Sequence, residues 1–314
     1  MLITSQDLIK HLESFGWKAA MVSVEHLKEA EQWFEKLQAD GDLDPAFFGW
    51  IRRRYWQNWE FAPPEDFKEA KSVLVIATRQ PKLRLRFEIN SAPFYTLLPP
   101  TYQHDIDKRM TLTASNFMTV HGRRLREAKL PEKLISVQSG LAGYGRNNII
   151  YIEGWGSFFL PKIYFTDLET ANDTWQAVKM LETCEKCRAC VKQCPTDAIH
   201  AEPFVIDASR CITFLNENPG DFPAWLDPAA HNCLIGCMIC QDICPANKPV
   251  RDYVLEGPSF TREESRMILE GVEKADLPSS LAEKLEKTYL LKDYSLLPRN
   301  LKALLHTFAL HKNS

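Results

Sequence analysis

Seven of the nine cysteines in this chain fall in two short runs. The first, CEKCRACVKQCP, supplies Cys184, Cys187, Cys190 and Cys194; the second, CMICQDICP, supplies Cys237, Cys240 and Cys244. C-x2-C-x2-C-x3-C-P spacing lets one turn of chain wrap three thiolates around a cube of iron and sulfide. The fourth cysteine, aimed by the proline after it, crosses to a second cube. That pattern predicts one [4Fe–4S] cluster on Cys184, Cys187, Cys190 and Cys244. A second cluster takes Cys194, Cys237, Cys240 and one more ligand, either Cys211 or Cys233. Local spacing favours Cys233, which completes C-x3-C-x2-C-x3-C-P. Zinc is the competing reading of such cysteines, but two runs that both end in Cys-Pro fit clusters better. Crossed ligation holds two clusters close together, so the chain is expected to pass single electrons to an acceptor elsewhere in its fold.

The rest of the chain must position that wire. At 314 residues it is too long for a bare bacterial ferredoxin-like module and leaves room for one substantial domain and a small appendage. Net charge is −3, so no global basic excess points to nucleic acid. Cysteines that serve as thiolate ligands fit a reducing cytoplasm better than a disulfide framework. The N-terminal MLITSQDLIKHLESFGW carries no signal-peptide pattern, and no apolar run approaches the ~18–20 residues of a membrane span. The expectation is a cytoplasmic protein with no membrane partner.

Periodicity predicts amphipathic helices within 5–40 around a short strand at 19–24. It also predicts a buried strand at SVLVIAT (72–78), an alternating strand at LRLRFEIN (83–90), a loop at LLPPTY (97–102) and a helix over 105–128. Two glycine loops, SGLAGYGRNN and EGWGS, flank a strand at 149–152. T-R-E-E (261–264) and S-L-A-E (280–283) read as capping boxes opening C-terminal helices. The expected division is 1–175, 176–250 for the cluster segment, and a helical 251–314.

The block GLAGYGRNNIIYIEGWGSFFLPKIYFTDLE (140–169), with RCITFLNE (210–217) and the CPTDAI and CPANK tails, resembles epoxyqueuosine reductase. More distantly it resembles the reductive dehalogenases. The likeness covers roughly residues 95–250, and a group of double-cluster proteins of anaerobes shares its PPTY, SGLAGYGRNN and HNCLIGC segments. The resemblance implies an α+β fold: an α/β-type nitroreductase-like sandwich, an inserted ferredoxin-like double-cluster domain and a small helical C-terminus. It implies a base-off cobalamin contacted by Tyr144, Arg146, Asn147, Ile150, Gly156 and Ser157. Glycines there would let backbone N–H groups approach the macrocycle. It also makes Cys211 the eighth cluster ligand and Cys233 the spare.

The chain departs from that family in two places. An ungapped alignment puts Arg126 where the family carries a proton-donating aspartate. Tyr102, Tyr95 and Tyr144 become the candidate donors, with Arg126 or Arg146 as a positive neighbour that would ease departure of an anion. Tyr102, in its proline loop, is preferred. The family's tRNA-binding helical extension is shorter here and of mixed charge, which disfavours tRNA. The leading expectation is therefore a corrinoid-dependent reductase of a small organic molecule, fed by an external donor such as ferredoxin or flavodoxin. The alternatives are an electron-transfer activator of a corrinoid partner, and epoxyqueuosine reduction in tRNA.

Overall fold

The computed structural model describes residues 3–43, 45–54, 58–89, 92–202 and 205–312. In chain order the strands are β1 (Lys18–Ser23), β2 (Ser72–Arg79), β3 (Lys82–Ile89), β4 (Ala92–Leu98), β5 (Leu125–Glu127), β6 (Gly143–Tyr144), β7 (Ile150–Tyr151), β8 (Phe159–Thr166) and β9 (Val254–Phe260). The chain forms two compact units: residues 1–79, 106–187 and 201–205, then residues 80–105, 188–200 and 206–314.

The first unit is built on an antiparallel sheet in the order β1-β2-β8-β5. Side chains of a strand alternate between faces, so the continuous apolar run of β2 demands cover on both sides. Leu74 and Ile76 face one layer with Tyr164, where Leu8 and Leu12 of the helix Ser5–Glu13 and Met110, Ala114 and Met118 of the helix His104–Val120 close over them. Val73 and Val75 face the other with Ile163 and Phe165, under Leu27 and Ala30 of Leu27–Ala39 and Leu134 and Ile135 of Glu132–Gln138. The expected helix over 105–128 stops at Val120. Gly122 (φ 65°) turns the chain, and β5 pairs Arg126 with Phe165 of β8.

The second unit has a smaller sheet, β4-β3-β9. β3 pairs antiparallel with β4 and parallel with β9. Leu83, Leu85 and Phe87 of β3 alternate inward; Phe87 stacks on Phe260 of β9, ring centroids 4.6 Å apart. Leu234 and Ile235, from the segment between the cysteine runs, enter this core beside Leu297, Leu301 and Leu304 of the helix Leu297–Lys312. The helices expected after residue 251 are present, but β9 precedes them. Thr261 makes its capping box with Glu264. Ser280 does not: the helix Ser279–Glu286 begins one residue earlier, after Pro278, and the Ser280 hydroxyl points to Glu264 at 3.5 Å. Among the described residues no helix is long and apolar enough to cross a membrane.

Candidate iron–sulfur site

Each cysteine run closes on a short helix. Cys190 lies in Ala189–Gln193 and Cys240 in Ile239–Asp242, and these two helices pack together. Cys194 and Cys244 each precede proline, which disfavours the helical conformation for the residue before it. Both are extended, with ψ 113° and 124°, so the helical turn of each run ends at its last cysteine. Cys184 ends the turn Glu182–Cys184, and Cys211 starts the helix Ile212–Glu217.

The surroundings of Cys211 and Cys233 differ. Burial raises the Cys211 thiol above its ordinary range, and the nearby Cys194 adds to this. Burial likewise pushes Cys237 up to about 11; Asn232 opposes the rise, while Cys211 and Cys194 add to it. Cys211 thus senses the charge of Cys194, Cys237 that of both, and Cys233 that of Cys237. Cys233 is 1% exposed; its thiol is raised chiefly by burial, and it donates to Asn232 Oδ1 at 3.3 Å. Like charges gathered in a buried place are unfavourable until a cation-rich group takes them up, and the cysteine set is chemically suited to clusters. Among the described residues no three such side chains are gathered as tightly as a single bound ion requires.

The residues expected on cobalamin do other work. Tyr144 is 5% exposed in the core beside Ile150 and Phe159, and burial lifts its phenol above the ordinary range. Asn147 Nδ2 donates to the Tyr151 hydroxyl (2.9 Å), and Asn147 Oδ1 accepts from Ile149 N (3.3 Å), bracing the β6–β7 turn. Arg146, 2% exposed, donates to the carbonyls of Cys184 (3.1 Å) and Ala201 and pairs with Glu202 (3.2 Å). It therefore holds a cluster loop. Gly156 closes a bridge with Ile152, and Ser157 is buried. A Cβ on Gly145 would lie 2.5 Å from Tyr151 Cε2, and one on Gly143 2.6 Å from Leu181 Cδ2. Gly143 and Gly145 thus admit the chain's own side chains, Leu181 and Tyr151, at these turns.

The three expected catalytic residues sit in different settings. Arg126 is committed to Glu60 (2.8 Å) and Asp66 (3.1 Å). Tyr144 is a core residue. Tyr102 donates its hydroxyl to the Glu217 carboxylate, and burial followed by that charge raises the phenol well above its usual value. Gly236, at φ +74°, brings backbone against this corner: a Cβ there would meet Pro99 at 2.8 Å and the Tyr102 hydroxyl at 3.4 Å. Glu217 and Asn232 carried no spacing signal in the sequence.

The site is that of a double-cluster iron–sulfur protein: residues 183–247 match the family described as 4Fe-4S double cluster binding domain. Over more of its length the chain resembles epoxyqueuosine reductases. The Escherichia coli (strain K12) epoxyqueuosine reductase is 38% identical over 122 residues, 38% of this chain and 31% of that protein. The one from Francisella cf. novicida (strain Fx1) is 26% identical over 238 residues, 67% of this chain and 65% of its own. This chain thus spans less than two thirds of either relative. A solved epoxyqueuosine reductase, in complex with an epoxyqueuosine-modified tRNA stem loop, shares the fold at TM-score 0.65. It is 18% identical, with 96% of this chain and 80% of that one covered. These likenesses overturn two expectations. Relatives bearing the name epoxyqueuosine reductase replace the reading as a corrinoid-dependent reductase of a small organic molecule. A solved structure that shares the fold is bound to a tRNA stem loop, against the expectation that disfavoured tRNA.

Proposed function

We propose that this chain is an oxidoreductase that reduces the epoxide of epoxyqueuosine in tRNA. The observation that carries the reading is the double-cluster segment, which lies in a chain resembling epoxyqueuosine reductases in both sequence and fold. Removing an epoxide oxygen to leave a carbon–carbon double bond consumes two electrons and two protons and releases water. The two clusters, when bound, supply electrons singly. Cys184, Cys187, Cys190 and Cys244 would hold one, and Cys194, Cys211, Cys237 and Cys240 the other; Cys233, buried and with its thiol donated to Asn232, is left as the spare. Tyr102 is the candidate proton donor. Its phenol stays protonated because burial and the adjacent Glu217 carboxylate disfavour the phenolate.

The test uses protein purified and reconstituted without oxygen, reduced with dithionite and incubated with tRNA from a strain lacking epoxyqueuosine reductase. Nucleoside mass spectrometry should show conversion of epoxyqueuosine to queuosine, and Tyr102→Phe should slow it at unchanged iron content. Fully loaded protein that leaves the epoxide intact refutes the proposal.

A further inference from the structure

Asn232 is not a cysteine, yet it touches a cluster ligand. Its Nδ2 donates to Cys237 Sγ at 3.2 Å and to Ala230 O at 3.0 Å. Its Oδ1 accepts from Met238 N at 2.9 Å and from the Cys233 thiol at 3.3 Å. A side-chain amide has two donor hydrogens and two acceptor lone pairs, and all four are used. Oxygen and nitrogen of an amide are often interchangeable, but not here. The Met238 N–H can only donate, so it fixes the oxygen on its own side and turns the NH2 toward Cys237.

We infer that Asn232 is a positioning residue for the cluster held by Cys237, and that the spare Cys233 holds Asn232 in place. An N–H directed at a ligand sulfur stabilises negative charge there. Reduction adds negative charge to the cluster, so the bond favours the reduced form and raises the potential. Cys233 then has a function without ligating iron: its S–H fills the second lone pair of Oδ1. The inference requires the clusters but not the tRNA substrate, so failure of turnover leaves it standing.

The full chain, reconstituted anaerobically, provides the test. Asn232→Leu has similar bulk and lacks both donors. It should keep full iron content while one of the two midpoint potentials, read by EPR-monitored redox titration, moves down. A tenfold change in the reduction equilibrium is the expected scale, ~59 mV for one electron. Cys233→Ala should move the same potential downward by less, and Cys233→Ser, which retains a donor, should restore it. In the unvaried protein, asparagine labelled with nitrogen-15 at its side-chain amide should give a hyperfine coupling to one reduced cluster. Unmoved potentials at full iron content in Asn232→Leu overturn the inference. So does a missing coupling in the labelled protein, which decides the matter if Asn232→Leu loses iron.

Discussion

Asn300→Ala should loosen the second unit from within. Asn300 is 1% exposed and stands on the helix Leu297–Lys312. Its Nδ2 donates to two carbonyls, Asn216 and Leu234, both at 3.0 Å, the first at the end of the Cys211 helix and the second before Cys237. Removing one partner of a buried hydrogen bond leaves the other unsatisfied, at about 1–3 kcal/mol each. The Asn216 carbonyl keeps a weaker bond from Arg299 at 3.4 Å, so the Leu234 carbonyl suffers more. The total should be about 2–4 kcal/mol, below the simple sum of two full losses. At ~2–4 °C per kcal/mol for domains of 150–250 residues, the apparent Tm should fall by roughly 5–15 °C. Calorimetric scans of loaded protein at one scan rate provide the comparison, with iron release to a chelator followed in parallel. Asn300→Asp matches the shape but replaces donor with acceptor, and should not rescue. A fall below about 1 °C in both variants would mean that water or the helix backbone satisfies these carbonyls, and the reasoning fails.

Three further outcomes follow from the geometry. Cys211→Ala should lose the iron of one cluster while Cys233→Ala loses none; the reverse pattern would return the eighth ligand to Cys233. Gly145→Ala should destabilise the first unit by about 1–3 kcal/mol, because a Cβ meets Tyr151 at 2.5 Å and Asn147 Oδ1 at 2.8 Å; a neutral result in urea unfolding would show that the Tyr151 ring can yield. Burial alone would lower the His26 imidazole, but its bonds to Glu29 (3.1 Å) and Asp173 (3.0 Å) outweigh burial and raise it. The stabilisation is then complete below the unfolded value of ~6.5 and is lost as pH rises through the higher folded value. The Tm deficit of His26→Gln should therefore be larger at pH 6 than at pH 9, and a pH-independent deficit would rule out the charged pair.

The sequence was most legible where the signal is local. SVLVIAT announces a strand buried on both faces, and it lies at the centre of the larger sheet. Thr261 and Glu264 are three residues apart and cap each other. The Cys-Pro pairs foretell the extended backbone that ends each cysteine run. Non-local partners were not legible. Leu125–Glu127 reads as the end of a helix because its strand partner, β8, lies some forty residues downstream. Val254–Phe260 contains Gly-Pro, yet it finds parallel pairing with β3 far upstream. The glycine loops show a third kind of limit. Glycine spacing reveals that something approaches closely, but not that the visitors are Tyr151 and Leu181.

The pairing of β9 with β3 also sets an order of birth. The cysteines leave the ribosome before β9 and the helix Leu297–Lys312, which belong to the second unit. Arg299, which braces the carbonyls of Leu215 and Gly220, and Thr307, which bonds the Pro228 carbonyl, come last of all. At ~5–20 residues per second, the stretch from Cys244 to Asn300 takes roughly 3–11 seconds to synthesise. Through that interval the segment between the cysteine runs lacks the bonds from Arg299, Asn300 and Thr307 that brace it in the finished fold.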